Sequence, residues 1–265
     1  MSVKSSLKKM RSKGRFVGPI DLLAALWYEA ENISDRFCRD EVMTALRDRK
    51  FGSDPESWVE FAMTTGKGFL RPMQSSPEIK RLIVKVQELK PRTILEVGTA
   101  RGGTLFLFCQ SAAEDAAIVS LDLPHGKNGG GYPKWKQPVY QLFARPEQQL
   151  TLLRANSHLE ESRKRVEHVM HGKKFDLIMI DADHSYQGVK RDFELYSPLV
   201  SERGIVVLHD ILPNRFDPEI DVHQFWREVS AAHQCEEIVD DYQQGCLGIG
   251  VVMRLGERRS ASAVM

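Results

Sequence analysis

Several absences narrow this 265-residue chain before any motif is considered. Its four cysteines, Cys38, Cys109, Cys235 and Cys246, show neither C-x-x-C nor histidine-paired spacing, which argues against a cysteine-built metal or redox centre. Reduced thiols in a cytoplasmic protein are the expectation. No apolar run is long enough to span a bilayer, and no apolar segment precedes a small-residue cleavage site, so neither a membrane anchor nor a secretory leader is expected. Charge of one sign is lacking as well. A formal net charge of +1 argues against a nucleic-acid partner. The one basic cluster is Lys4, Lys8, Lys9, Arg11, Lys13 and Arg15; residues 1–18 read as a solvated, disordered tail, with an anionic partner as the competing explanation. There is no internal repeat. The remaining composition, 42% hydrophobic and 28% charged, suits one α/β domain with an N-terminal addition.

Residues from about Ile20 to Lys90 read as a helical region, with Leu22, Leu23, Leu26 and Trp27 on one apolar stripe. Ser76-Pro77-Glu78 is expected to open a helix, with Ser76 as the N-cap, and that helix should stop before Pro91. Strands are then expected near Thr93–Val97, Ala117–Leu121, Gln149–Leu153, Phe175–Ile180 and Gly204–His209, separated by helical stretches. Such alternation predicts a parallel sheet with helices on both faces. After a helix at Val222–His233 come Glu236–Asp240, a short Gln-Gln-Gly turn and Leu247–Arg254. Strands joined so closely must be antiparallel, giving a reversed strand at the sheet edge. The division expected is a tail over 1–18, a helical region over 19–90, a catalytic domain over 91–256 and a tail over 257–265.

The richest segment runs Thr93-Ile-Leu-Glu-Val-Gly-Thr-Ala-Arg-Gly-Gly-Thr104: a strand ending in a carboxylate, a glycine-rich turn and a helix start. Ligands of open α/β sheets bind where the chain leaves such a strand, and Gly98, Gly102 and Gly103 are expected to let the backbone approach one. Ala100 stands where G-x-G-x-x-G requires its second glycine. Glu96 would repel a pyrophosphate but attract the ammonium and sulfonium of S-adenosylmethionine. A cationic cofactor is therefore expected, not NAD. Thr99, Ala100 and Thr104 complete the candidate cradle.

Other polar groups also lie just past predicted strands. Asp122, about 20 residues beyond the turn, is placed to bind a ribose diol or to cap the next turn. Asn156, Ser157 and His158 lie where an adenine edge would be, and Asn156 or Ser157 can equally cap the following helix. Leu177-Ile-Met-Ile180 delivers Asp181, Asp183 and His184, and Val206-Val-Leu208 delivers His209 and Asp210. Asp181 and Asp210 could share a hard cation such as Mg²⁺ that lowers the pKa of a substrate hydroxyl, while His184 takes its proton. The insertion Pro124–Trp135, with Tyr132 and Trp135, reads as irregular: a lid or substrate wall, or a surface loop. His168, His171, His223 and His233 carry no expected role.

Over roughly Gln74 to Arg254 the chain resembles class I S-adenosylmethionine-dependent methyltransferases. It is most similar to the metal-dependent O-methyltransferases of the macrolide-sugar O-methyltransferase and cephalosporin hydroxylase-like branch. The resemblance rests on Leu95-Glu-Val-Gly-Thr-Ala-Arg-Gly-Gly-Thr104, Ser120-Leu-Asp122, Asn156-Ser-His158, Asp181-Ala-Asp-His184 and His209-Asp210. It implies a Rossmann-like, seven-stranded, mostly parallel sheet with a reversed last strand. It also implies that Glu96, Gly98 and Asp122 hold the methionine and ribose parts, and that Ser157 and His158 flank the adenine. Asp181 and Asp210, with His209 beside them, match metal ligands, and His184 matches a general base. His209 departs from the pattern, where an acid is usual. That leaves three outcomes open: a weak Mg²⁺ site, a softer ion such as Mn²⁺ or Fe²⁺, or no metal.

The activity expected is methyl transfer to a hydroxyl of a small molecule, with no nucleic acid or membrane partner and with self-association through the helical region left open. The alternatives are a cofactor-binding module without turnover, which would need neither His184 nor a metal, and a nicotinamide-dependent oxidoreductase, which Glu96 and Ala100 disfavour.

Overall fold

The structure, a computed structural model, describes residues 19–124 and 131–254. The expected tails, the centre of the insertion and the side chains of the Leu22–Trp27 stripe lie outside the described residues. Three helices come first: α1 (Pro19–Arg47), α2 (Pro55–Gly68) and α3 (Ser76–Leu89). Asp54 caps α2, accepting from the amides of Glu56 and Ser57. The opening of α3 differs from expectation by one position. Ser75 is the N-cap and makes no side-chain cap, while Ser76 is already helical. The helix ends on Lys90 in the left-handed region, ahead of Pro91, as the proline requires.

The sheet follows in regular alternation: β1 (Thr93–Val97), α4 (Gly103–Ser111), β2 (Ala117–Asp122), a short helix α5 (Gln137–Tyr140), β3 (Gln149–Arg154), α6 (Glu160–Val169), β4 (Phe175–Ile180), α7 (Tyr186–Tyr196), β5 (Val200–His209), α8 (Val222–Ala232), β6 (Gln234–Ile238) and β7 (Ile249–Arg254). The order across the seven strands is β3-β2-β1-β4-β5-β7-β6. β7 runs antiparallel to both β5 and β6, and the other pairings are parallel. β5 starts earlier than its apolar pattern indicates because a bulge between Phe175 and Leu177 pairs Phe175 with Val200 but Leu177 with Ile205. Residues 200–203 are not buried, so hydrophobicity marks only the second half of that strand. β6 also begins and ends two residues earlier than expected, and as an edge strand it has only Ile238 fully buried.

Alternation along the strands divides the core in two. Ile94, Ile118, Leu177, Met179 and Val207 pack with α2, α3 and α4, while Leu95, Val119, Ile178, Ile180 and Leu208 pack with α6, α7 and α8. Every residue of α4 is buried. Glu96 shares parity with Ile94 and so belongs to the α4 side. The carboxyl ends of β1, β2, β4 and β5 thus meet at one edge of the sheet.

Candidate active site at the strand ends

The glycine turn is stitched to its neighbours by backbone bonds: the Gly98 amide donates to Leu121 O at 2.9 Å, and the Asp181 amide to Val97 O at 2.8 Å. Gly98 has a φ of +99°, and a Cβ there would lie 2.0 Å from the Asp181 carbonyl oxygen. A Cβ on Gly103 would lie 2.1 Å from Leu70 O, and one on Gly102 2.8 Å from the Tyr140 ring. These glycines were expected to make room for a ligand. Within the chain, they make room for its own backbone and rings.

The rest of the turn is equally engaged. Ala100 adopts a positive φ of 43°, its amide donates to Asp122 Oδ2 at 2.9 Å, and its carbonyl accepts from the Tyr140 hydroxyl at 3.0 Å. Thr99 and Ser120 share a hydrogen bond between their hydroxyls. The Thr104 hydroxyl donates to Gln74 Oε1 and Gln74 Nε2 donates to Asp181 Oδ2, both at 3.0 Å. Gln74 therefore ties the start of α4 to the end of β4.

Glu96, expected to face a ligand at the rim, lies beneath it at 0% exposure. Neither of its carboxylate oxygens has a hydrogen-bond partner among the described residues. Burial, then the charge of Asp122, pushes its pKa well above the usual carboxylate range. Burial also raises the Asp122 carboxyl to about 6, although backbone amides of the turn partly oppose the shift. Two buried acids without a cation are costly, and a bound cation would relieve them.

Past β3, Asn156 Oδ1 accepts from the His158 amide at 3.0 Å, and the N-cap of α6 is Leu159. Neither Asn156 nor Ser157 caps that helix, because the Asx turn uses the local bond first. At the ends of β4 and β5, four side chains meet. His184 Nε2 lies 3.3 Å from Asp181 Oδ1, and its Nδ1 lies 3.2 Å from Asp210 Oδ2. His209 Nδ1 is 3.2 Å from the same Asp181 oxygen and 3.5 Å from the same Asp210 oxygen. Burial alone would raise Asp181 and Asp210, but His209 and His184 outweigh it and hold both below the ordinary carboxylate value. Burial likewise opposes the charged form of His209, yet Asp210 and Asp181 raise it well above the usual imidazole value. His184 is raised too, by Asp181 first, against its burial. Asp183 stands apart from the cluster; its Oδ1 accepts from the amide and hydroxyl of Ser185, the N-cap of α7.

A divalent ion fits this donor set. Asp181, His184 and Asp210 offer ligand atoms within 4.8 Å of one another. His184 Nδ1 and both nitrogens of His209 are buried without a hydrogen-bond partner among the described residues, although carboxylate oxygens face them.

A family model described as a methyltransferase domain matches residues 95–211. An uncharacterized protein of Sinorhizobium fredii, y4gI, is 31% identical over 149 residues, covering 55% of this chain; the chain spans only 16% of that relative's length. Among solved structures, an O-methyltransferase from Bacillus cereus, determined with S-adenosylhomocysteine, is 17% identical with a TM-score of 0.55, over 75% of this chain and 91% of its own. The O-methyltransferase TomG from Streptomyces achromogenes, involved in tomaymycin synthesis and solved with S-adenosylmethionine, is 16% identical with a TM-score of 0.54, over 78% of this chain and 92% of its own. These structures share the fold of this chain.

Two groups of residues around the site escaped sequence reasoning. On α7, the Tyr196 hydroxyl donates to Ser157 O at 2.7 Å, and buried Asp192 lies 3.8 Å from His158 Nε2. Burial pushes the Asp192 carboxyl up to about 7. Its signal was an acid on the apolar face formed by Val189, Phe193 and Tyr196. The second group is Asp35 on α1, which accepts from Arg101 in the glycine turn at 3.1 Å and from Lys136 at 2.6 Å. Arg101 also donates to Gly68 O at 2.8 Å. Nothing in the spacing of positions 35, 101 and 136 predicts that meeting. The insertion, expected to be irregular, is partly ordered: Lys134–Phe143 forms short helical turns, and Tyr132 packs edge-on against Tyr140 with centroids 4.8 Å apart.

Proposed function

We propose that this protein transfers a methyl group from S-adenosylmethionine to a hydroxyl of a small molecule. One observation carries the proposal: two buried acids, Glu96 with no hydrogen-bond partner among the described residues and Asp122 held by the Ala100 amide, stand at the β1 and β2 ends beside a histidine held by carboxylates at the next strand end. When bound, S-adenosylmethionine supplies a positively charged sulfonium bearing an electrophilic methyl group. Glu96 attracts that positive charge, and Asp122, fixed by the Ala100 amide, presents its remaining oxygen to a ribose diol. Ser157 and His158 flank the adenine. Asp181 orients His184, which takes the proton from the acceptor hydroxyl as that oxygen attacks the methyl carbon in line with sulfur. Because Asp181 and Asp210 raise His184, turnover should increase with pH beyond the ordinary imidazole range. Asp181, Asp210 and His209 would hold a divalent ion, which supplies Lewis-acid polarisation of the acceptor oxygen.

Several wider assignments belong to the same proposal. The catalytic domain spans 91–256, with 19–90 as a helical addition. The acceptor is a small molecule, with neither nucleic acid nor membrane as partner. Four free cysteines support a reducing, cytoplasmic setting. Among the described residues no helix is long and apolar enough to cross a membrane.

Calorimetric titration with S-adenosylhomocysteine and with NAD tests the cofactor. Binding of the first alone is expected; binding of NAD alone would overturn the proposal. Methylation of a panel of hydroxylated acceptors, compared with His184→Gln, then separates an enzyme from a binding module that never turns over.

A further inference from the structure

The geometry points to His209 as the ligand that selects the metal, so that the β4 and β5 ends take a first-row transition ion such as Zn²⁺ or Fe²⁺ in preference to Mg²⁺. This inference rests on the methyl-transfer reading for the ion's purpose and goes beyond it in naming the ion's class. A single nitrogen of His209, Nδ1, faces one oxygen of each carboxylate, at 3.2 Å and 3.5 Å. His184 approaches the same two oxygens through different nitrogens, Nε2 at 3.3 Å and Nδ1 at 3.2 Å. The lone pairs of one imidazole diverge across its ring; one His184 nitrogen lies within 4.8 Å of both carboxylates, but His209 Nδ1 lies within 3.5 Å of both. Ligand atoms bound to a common ion at roughly 2.0–2.2 Å stand roughly 3–3.5 Å apart, which the His209 separations match.

Burial separates the two histidines further. The His209 side chain is 3% exposed and sits on a strand paired with Ile249, whereas His184 is 24% exposed. The inner ring suits a fixed ligand, and the outer ring suits a proton acceptor in reach of substrate. Imidazole nitrogen suits zinc, copper, iron and nickel. Mg²⁺ prefers oxygen donors and keeps several of its waters. Asp210 and His209 are each 3% exposed, while the Asp181 side chain is 17% exposed.

The test is titration of metal-free, full-length chain with Zn²⁺ and with Mg²⁺ separately, for the unmodified protein and for His209→Glu. Mixed nitrogen and oxygen sites generally bind Zn²⁺ more tightly, so the change in preference is the readout. Replacing the imidazole should narrow the Zn²⁺-to-Mg²⁺ affinity ratio by about tenfold or more, with S-adenosylhomocysteine binding unchanged. An unchanged ratio, or no ion bound by the unmodified chain, overturns the inference. Should the glutamate prevent folding, paramagnetic resonance of Cu²⁺ bound to His184→Gln decides instead: coupling to an imidazole nitrogen is expected, and its absence overturns the assignment. Failure of the unmodified chain to bind S-adenosylhomocysteine would strike the methyl-transfer reading while leaving the ion preference standing.

Discussion

Glu96 and Asp122, at the β1 and β2 ends, are buried acids that form no ion pair among the described residues, whereas Asp181 and Asp210, at the β4 and β5 ends, are buried acids interleaved with two imidazoles. The electrostatic consequences are opposite. Burial raises the first pair towards the protonated form, while His209 and His184 hold the second pair ionised. In the first region burial favours the neutral carboxyls, and under the proposed function a bound cation would favour their ionised form. The second region carries its own counter-charges, which under the proposed function would let it hold and move a proton. The two lie side by side because β1 and β4 are neighbours in the sheet.

The strongest challenge to this contrast is His184→Gln. It should lower kcat by roughly 10²–10⁴-fold while leaving S-adenosylhomocysteine affinity unchanged, measured by turnover and calorimetry side by side. An equal loss of both would make His184 part of the cofactor cradle and erase the distinction. His209→Leu comes next. Removing one imidazole leaves Asp181 and Asp210 to share His184 alone, so denaturant unfolding should show a loss of about 3 kcal/mol. Glu96→Gln should act in the other direction on the ligand-free chain, raising stability by about 1–2 kcal/mol because the glutamine needs no counter-charge. The same change should weaken S-adenosylmethionine binding about tenfold, or about 1.4 kcal/mol. If Glu96→Gln destabilises the ligand-free chain, the first region is compensated after all.

A pH-dependent effect concerns Asp192, whose carboxyl is raised by burial to about 7 from an ordinary 3.8. The native state therefore binds this proton more tightly than the unfolded chain does. Stability contributed by the group is present below about pH 4 and is lost as pH rises towards about 7. Asp192→Asn should remove that loss, on the order of 4 kcal/mol, so the variant and the parent should diverge as pH rises in denaturation midpoints taken from pH 4 to pH 8. Parallel curves would show that Asp192 is ionised in the native state.

Much of this was legible in one dimension, for identifiable reasons. Apolar runs bounded by turns marked β1 through β4 within a residue of their ends; β1, β2 and β4 are buried almost throughout, while β3, an edge strand, shows through its leucines Leu150, Leu152 and Leu153. The starts of β5 and β6 were misplaced because exposed edges carry no such pattern. Glycine identity at 98, 102 and 103 was visible, but its cause was not: the contacts that demand it come from Asp181, Tyr140 and Leu70.

The chain's own order of residues determined which groups leave the strand ends: Glu96, Asp122, Asp181, His184, His209 and Asp210 each follow a periodic apolar segment, and short-range periodicity suffices to place them. Only the tertiary structure decided what each one meets. The pairing of His209 with two carboxylates, the solitude of Glu96 beneath the rim, and the grip of Asp35 on Arg101 and Lys136 depend on strand order and helix docking across 66 and 101 residues of sequence. Charge compensation falls steeply with distance and burial, and distance between remote residues exists only once the chain has folded.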